Sequence, residues 1–206
     1  MFMQYGARMV APPIEFRDAQ RDDGASLALL ADAATRRLVS WLWDQSTAVG
    51  QPSLEVGRQI ICDDETSLNH LQHWRVATVD GHLVGGLNSY VLPPALLPDD
   101  PEVAAVIRPT VELKDIALGT WYITVAAALS DARGQGVGTA VLAEADRLAG
   151  LAGCDTVSLL VGSFNTGAHR LYTRRGFTEW ARRPFVPFPG SDEPGEWILM
   201  RRPVNP

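Results

Sequence analysis

The sequence is poor in the features that would tie it to metals, membranes or nucleic acids. Its 206 residues include two cysteines, Cys62 and Cys154, and neither stands in a Cys-x-x-Cys spacing. No metal knuckle or disulfide framework is indicated, and both read as core thiols of a reduced, cytoplasmic protein. There is no run of eighteen or more apolar residues, which excludes an obvious transmembrane helix. Residues 1–13 lack the charged start and apolar stretch of a secretory signal. Basic residues do not outnumber acidic ones, and the formal net charge is −6. That argues against a broad nucleic-acid surface and is compatible with a cationic acceptor. Internal repeats and low-complexity linkers are absent. What remains is an ordinary globular composition, 46% hydrophobic and 20% charged. The length suits one domain, expected over 14–206 behind a loose tail at 1–13 that ends in Pro12-Pro13.

Taken in order, 14–17 alternates apolar and polar, as a half-buried strand does. Asp22-Asp23-Gly24 punctuates, and 26–37 reads as an Ala/Leu-rich helix whose pattern runs on through 38–44, as a second helix or a turn followed by one. Ser53 is placed to cap a further helix. Strands at 74–79 and 83–90 flank Asp80-Gly81, a strong hairpin signal. The excursion 91–120 is longer than most connections and predicts two short helices, within 102–107 and 111–117. An apolar strand at 121–129 and an amphipathic helix at 138–152 follow, the latter with Val141, Leu142, Ala145, Leu148, Ala149 and Ala152 on one face. Residues 156–161 predict a parallel partner strand. Asn165 caps a helix that Gly176 ends in a left-handed conformation. Strands near 177–182 and 196–201 close the chain.

Between the strand at 121–129 and its following helix lies Arg133-Gly134-Gln135-Gly136-Val137-Gly138, ahead of Thr139. A glycine-rich turn entering a helix presents unpaired N–H groups and a partial positive charge, which together make an anion site. A nucleotide P-loop needs Lys after its last glycine, and none is present. The dinucleotide fingerprint Gly-x-Gly-x-x-Gly fails at Thr139 when counted from Gly134 and at Val141 when counted from Gly136. The spacing that fits is Arg-x-x-Gly-x-Gly on Arg133, Gly136 and Gly138. The competing reading of this stretch alone is a turn that binds nothing.

A second pattern follows it. Residues 165–177 contain Asn-x-x-Ala-x-x-Leu-Tyr-x-x-x-Gly-Phe, on Asn165, Ala168, Leu171, Tyr172, Gly176 and Phe177. Together, and in this order, the two motifs resemble the GNAT superfamily of N-acetyltransferases, specifically over about 121–177 and more loosely outside. The resemblance implies a mixed α/β fold with a mostly antiparallel sheet and helices on both faces. It implies acetyl-CoA as the acyl donor and an amine, of a small molecule or a peptide, as the acceptor. Direct attack in a ternary complex is expected, with no metal and no covalent enzyme intermediate. A homodimer is compatible with it.

Acetyl transfer makes three demands. The first is to hold an anionic cofactor. Amides of Gly134, Gln135, Gly136, Val137, Gly138 and Thr139 are candidates, each hydrogen bond to a charged group contributing roughly 1.5–3 kcal/mol, with Arg133 adding charge. The second is to orient the thioester. The resemblance implies backbone groups near Val125, Ala126 and Ala128 and a splaying of the two parallel strands. The alanines at 126–128 leave room for this, although tight helix-on-sheet packing explains them equally. The third is proton handling. A lysine-like amine is neutral in only about one molecule in 2,500 at pH 7, and a departing thiolate is better expelled by a proton donor. Tyr172 matches the superfamily's tyrosine in that role; alone it would read as a core residue. Asn165 is open between cofactor contact and helix cap.

The general base is not evident. Many superfamily members carry Glu on the central strand, but 121–129 contains no acid. Asp44, Glu55, Glu112, Asp115, His73 and His169 are the candidates, and a base acting through water would leave no mark. Trp41, Trp43, Tyr90 and Tyr122 are candidates for an acceptor wall or for core. The missing acid also motivates an alternative, an acyl-CoA-binding sensor without transfer activity. A longer-chain acyltransferase is a third reading.

Overall fold

The computed structural model describes residues 12–46, 50–191 and 194–205. The tail expected at 1–13 lies outside the described residues except for Pro12 and Pro13. Strands are β1 Glu15–Asp18, β2 Trp74–Val79, β3 His82–Val91, β4 Trp121–Ala128, β5 Thr156–Gly162, β6 Thr178–Pro184 and β7 Glu196–Pro203. Helices are α1 Gly24–Ala34, α2 Leu38–Gln45, α3 Ser53–Asp63, α4 Pro101–Ile116, α5 Val137–Leu151 and α6 Thr166–Arg174. The strands form one sheet in the order β1-β2-β3-β4-β5-β7-β6. Only β4 and β5 pair in parallel. This is the mixed, mostly antiparallel fold expected. Among the described residues no helix is long and apolar enough to cross a membrane.

Alternating residues divide the core into two layers, as the pleat requires. Val157, Leu159 and Val161 of β5, with Ile198 and Met200 of β7, pack against Val141, Leu142, Ala145 and Ala149 of α5. On the other face Leu199 and Trp197 meet Val106 and Leu113 of α4, while Val76 and Val125 lie under Leu27, Leu30 and Ile61 of α1 and α3. The β2–β3 hairpin turns through Asp80 and Gly81 at φ 50° and 79°, the doubly left-handed turn whose twist suits a two-residue connection.

Three local expectations are corrected. The excursion before β4 holds one helix, not two short ones. Asp100 caps α4 by accepting from the N–H groups of Glu102 and Val103 at 2.8 and 3.1 Å, and Pro109 lies inside it. An internal proline costs about 3 kcal/mol. Burial of Val103, Val106, Pro109, Thr110 and Leu113 along one stripe offsets this. The helix expected over 26–37 ends at Ala34, and a turn through Arg36 and Arg37, at φ 55° and 71°, then leads into α2. Pro52, not Ser53, stands at the cap of α3.

A buried ion pair ties α5 to the last strand. Arg202 of β7 donates from both terminal nitrogens to Asp146 at 2.6 and 2.7 Å, and its guanidinium lies 4.7 Å from the Phe177 ring centroid. Removing one partner of such a pair leaves a buried, uncompensated charge. Asp146→Ala is expected to lower stability by about 3–5 kcal/mol, read as a fall in the urea midpoint at unchanged slope.

Candidate functional site

The site is built where β4 and β5 part. Their parallel ladder consists of Trp121↔Val157, Tyr122↔Ser158 and Ile123↔Leu159, and goes no further. Each strand continues beside its other neighbour, β4 with β3 as far as Ala128 and β5 with β7 as far as Gly162. A wedge therefore opens between their carboxyl ends, as the resemblance implied. The cause is visible in β4. Its register against β3 moves from Ile123↔Ser89 to Val125↔Asn88, so Thr124 is an extra residue. Such a bulge bends the strand and switches the faces of its side chains. Ile123 faces the α5 layer, yet Val125 faces α1 and α3, and Ala126 returns to the α5 layer.

The glycine loop closes the same region. Gly134 and Gly136 take φ 77° and 89°, with no neighbouring atom where a Cβ would stand. Gly136 is the cap of α5, and the first bond beyond the loop runs from the Ala140 N–H to the Gly136 carbonyl at 3.0 Å. The preceding N–H groups of the helix start have no acceptor within the helix. Gly138 serves packing as well, since a Cβ there would meet Leu171 of α6 at 2.9 Å.

A groove of about 670 Å³ runs along this loop, lined by Ala126–Ala128, Arg133, Gly134, Gly136, Val137, Gly138, Thr139, Asn165 and, from α6, Leu171 and Arg174. Most of the cofactor-binding candidates are thus gathered on one surface. Two stand apart. Gln135 does not line the groove; its side-chain amide donates to the Asp131 carbonyl at 2.9 Å. Val125 is buried on the opposite face, which leaves only its backbone for a binding role. Asn165 accepts from the Ala168 N–H at 3.3 Å as a helix cap, and it also lines the groove.

Beside the groove lies a second cavity of about 60 Å³ in the wedge itself. Ala34, Arg36, Ala126, Asn165 and Ala168 line both. The inner cavity adds Thr124, Leu160, Val161, Tyr172 and Trp197. Tyr172 is buried, packs against Phe177 at 5.8 Å between ring centroids, and has its phenol pushed up to about 12 by burial. Thr124 donates its hydroxyl to the Tyr90 oxygen at 2.7 Å. Burial raises the Tyr90 phenol, partly offset by that bond, and raises the Tyr122 phenol further, with Tyr90 and Tyr172 adding to it. Lys114 lies over the Tyr122 ring at 5.5 Å, its ammonium lowered by burial.

None of the proposed bases lines the inner cavity. Glu55 is paired with Arg58 and Glu112 with Arg183. Asp44 and Asp115 are exposed, and His169 is half-buried on α6. His73 meets the Tyr90 ring edge at 5.5 Å, its imidazole lowered by burial. Of the aromatic candidates, Trp43 is core, Trp41 packs at a tilt against Phe188, and Tyr90 and Tyr122 are buried in ring contact with each other. Two residues were not foreseen. Thr124 sits in a run that is apolar or small almost throughout, where a bulge leaves no trace. Arg36 takes φ 55°, a conformation that no glycine or asparagine announces; its guanidinium lies 5.7 Å from the Phe164 ring centroid.

The sequence profile described as "Acetyltransferase (GNAT) family" matches residues 35–177, more than half of the chain. The chain belongs to the GNAT acetyltransferase family. Solved structures carry the same fold over nearly its whole length. One acetyltransferase is 18% identical, with 93% of this chain and 100% of that one covered at a TM-score of 0.61. A ribosomal-protein-alanine N-acetyltransferase from Brucella melitensis is 19% identical, with 92% and 99% covered at 0.59. The yncA protein from Salmonella typhimurium, solved with its cofactor acetyl-CoA, is 16% identical, with 93% and 94% covered at 0.57. No curated protein matches the sequence. The β4–β5 wedge, the loop before α5 and Tyr172 on α6 lie side by side around two adjoining cavities.

The Tyr172 phenol provides a direct check. A folded-state value above the ordinary 10.0 means that this contribution to stability is complete below about pH 10 and is lost as pH rises through about 12. Spectrophotometric titration is expected to show a late-ionising phenol near 12 that Tyr172→Phe removes.

Proposed function

We propose that this GNAT protein binds acetyl-CoA in the groove along 133–139 and transfers its acetyl group directly to an amine of a small molecule or peptide. One domain over 14–206 carries the activity. The observation that supports it best is that the two cavities adjoin, sharing Ala34, Ala126, Asn165 and Ala168. An anion-binding helix start at one end and a buried phenol at the other are joined by a wedge with free strand edges. The residues fit the cofactor's chemistry. Gly134 and Gly136 have open space beside them and a backbone conformation that other residues rarely adopt. Arg133 and Arg174 add positive charge along the groove. When bound, acetyl-CoA supplies the activated acyl group.

The protein's own residues then have defined tasks. Loop amides and Arg133 hold the pyrophosphate. The edges of β4 and β5 beyond Ile123 and Leu159 offer backbone groups to the amides of an extended arm. Ala126 and Ala128 keep the passage open. Tyr172 holds a proton at its phenol oxygen and donates it to the departing sulfur, a role typically worth ~10²–10⁴-fold.

Calorimetric titration with acetyl-CoA is expected to give saturable binding, weakened more than tenfold by Gly136→Asp, which sets a carboxylate against the pyrophosphate. Tyr172→Phe is expected to lower kcat by ~10²–10⁴-fold while leaving cofactor affinity nearly unchanged. Wild-type binding without transfer to any amine would select the sensor reading instead.

A further inference from the structure

We infer that the foot of β4 carries a second ligand site, separate from the groove and the wedge, which takes a small, uncharged aromatic molecule with a carboxamide or lactam edge. A cavity of about 360 Å³ opens there, within the size range of small-molecule sites. It lies where β4 and β2 begin and β3 ends. Trp121, Trp74, Arg75, Ser89 and Tyr90 line it, together with Leu148 of α5. It shares no lining residue with the groove or the wedge cavity.

Two polar atoms of this lining have no hydrogen-bond partner among the described residues. Ser89 is 4% exposed, and its Oγ is unpaired. The Nε1 of Trp121 is buried and unpaired as well. Unpaired buried polar groups cost free energy and are rare in folded proteins. The polar groups around these two are already committed. Trp74 donates its indole N–H to the Asn69 carbonyl at 2.8 Å, and Gln72 its amide to the Glu65 carbonyl at 3.0 Å. Arg75 is shared among Asp18, Glu144 and the Phe16 carbonyl. The protein itself therefore leaves this pair of groups to a ligand.

Their chemistry sets the ligand's. An indole N–H only donates, so the ligand must accept there. A serine hydroxyl both gives and takes, so it can meet a donor beside that acceptor. A carboxamide or lactam offers both side by side without a charge. Ions are disfavoured. Asp18 and Arg75, the charged residues of the lining, pair with each other. Burial, with His70 nearby, lowers the His73 imidazole and leaves it neutral at pH 7. A carboxylate would meet no uncommitted cation here and would lose its hydration. Trp74, Tyr90 and Trp121 supply aromatic surface for a flat ring.

The test uses the isotope-labelled full chain and two probes, benzamide and its charged counterpart benzoate. The readout is the sequentially assigned indole N–H resonance of Trp121. Benzamide is expected to move it saturably, and benzoate to bind at least about tenfold more weakly. Ser89→Ala deletes an unpaired hydroxyl, so its urea midpoint should not fall, and it should weaken benzamide roughly two- to tenfold, the worth of one hydrogen bond. Saturating acetyl-CoA should leave benzamide affinity unchanged. A Trp121 resonance that does not respond to benzamide would overturn the inference. So would equal affinity for benzoate, full affinity in Ser89→Ala, a lowered midpoint in that variant, or competition by acetyl-CoA. None of these outcomes depends on transfer activity, so the reading of the groove stands or falls separately.

Discussion

One unpaired residue, Thr124, conditions the rest of the site. A strand inside a sheet must satisfy its backbone on both edges or find another partner. β4 satisfies both edges for three residues and then only one. The bulge makes this sustainable, because it bends β4 away while its ladder with β3 continues through Ala128. β5 keeps its seven pairs with β7 over the same span. Each strand is anchored by a full ladder on its far side, so the open edges do not unravel. Beyond Ile123 and Leu159 the facing edges have no ladder with each other.

Charge is partitioned in the same spirit. The chain as a whole is acidic, yet the groove is lined by Arg133, Arg174 and Arg36 and by the amino end of α5. Much of the acid is neutralised elsewhere. Asp146 is held by Arg202, Glu144 by Arg75 and Arg147, Asp23 by Arg17, and Glu179 and Glu196 by Arg182. Local pairing matters more than net charge here, because exposed charges beyond about 8–10 Å are screened at physiological salt.

Features written in local chemistry were legible in the sequence. Asp80-Gly81 names its turn, Asn165 and Gly176 bracket α6, and the spacing from Arg133 to Gly138 marks the loop; all are short-range requirements on particular residue types. The order of two motifs then carried the family and the fold. Features set by tertiary competition were not legible. Residues 121–128 are apolar or small almost throughout, so the bulge that reverses their facing is invisible. A proline such as Pro109 disfavours a helix interior, and burial of the α4 stripe overrides it. Arg36 and Arg37 sit in a conformation that the packing of α1 against α2 imposes on them. The missing base is a different case, because the residue types offered by the sequence are present but the fold points each of them elsewhere.

That redirection, combined with the burial of Tyr172, gives the site its direction. A phenol held in low dielectric keeps its proton across the whole working range, so it cannot serve as a base near neutrality. The same surroundings strengthen its hydrogen bond to a developing anion. A carboxylate beside it would help to take a proton from the amine, but would oppose negative charge on the leaving sulfur. Among the described residues the inner cavity carries no such carboxylate; it has Arg36 at its rim and the helix start of α5 further along the groove. The described lining of the wedge is thus made of small, neutral and basic groups rather than acids.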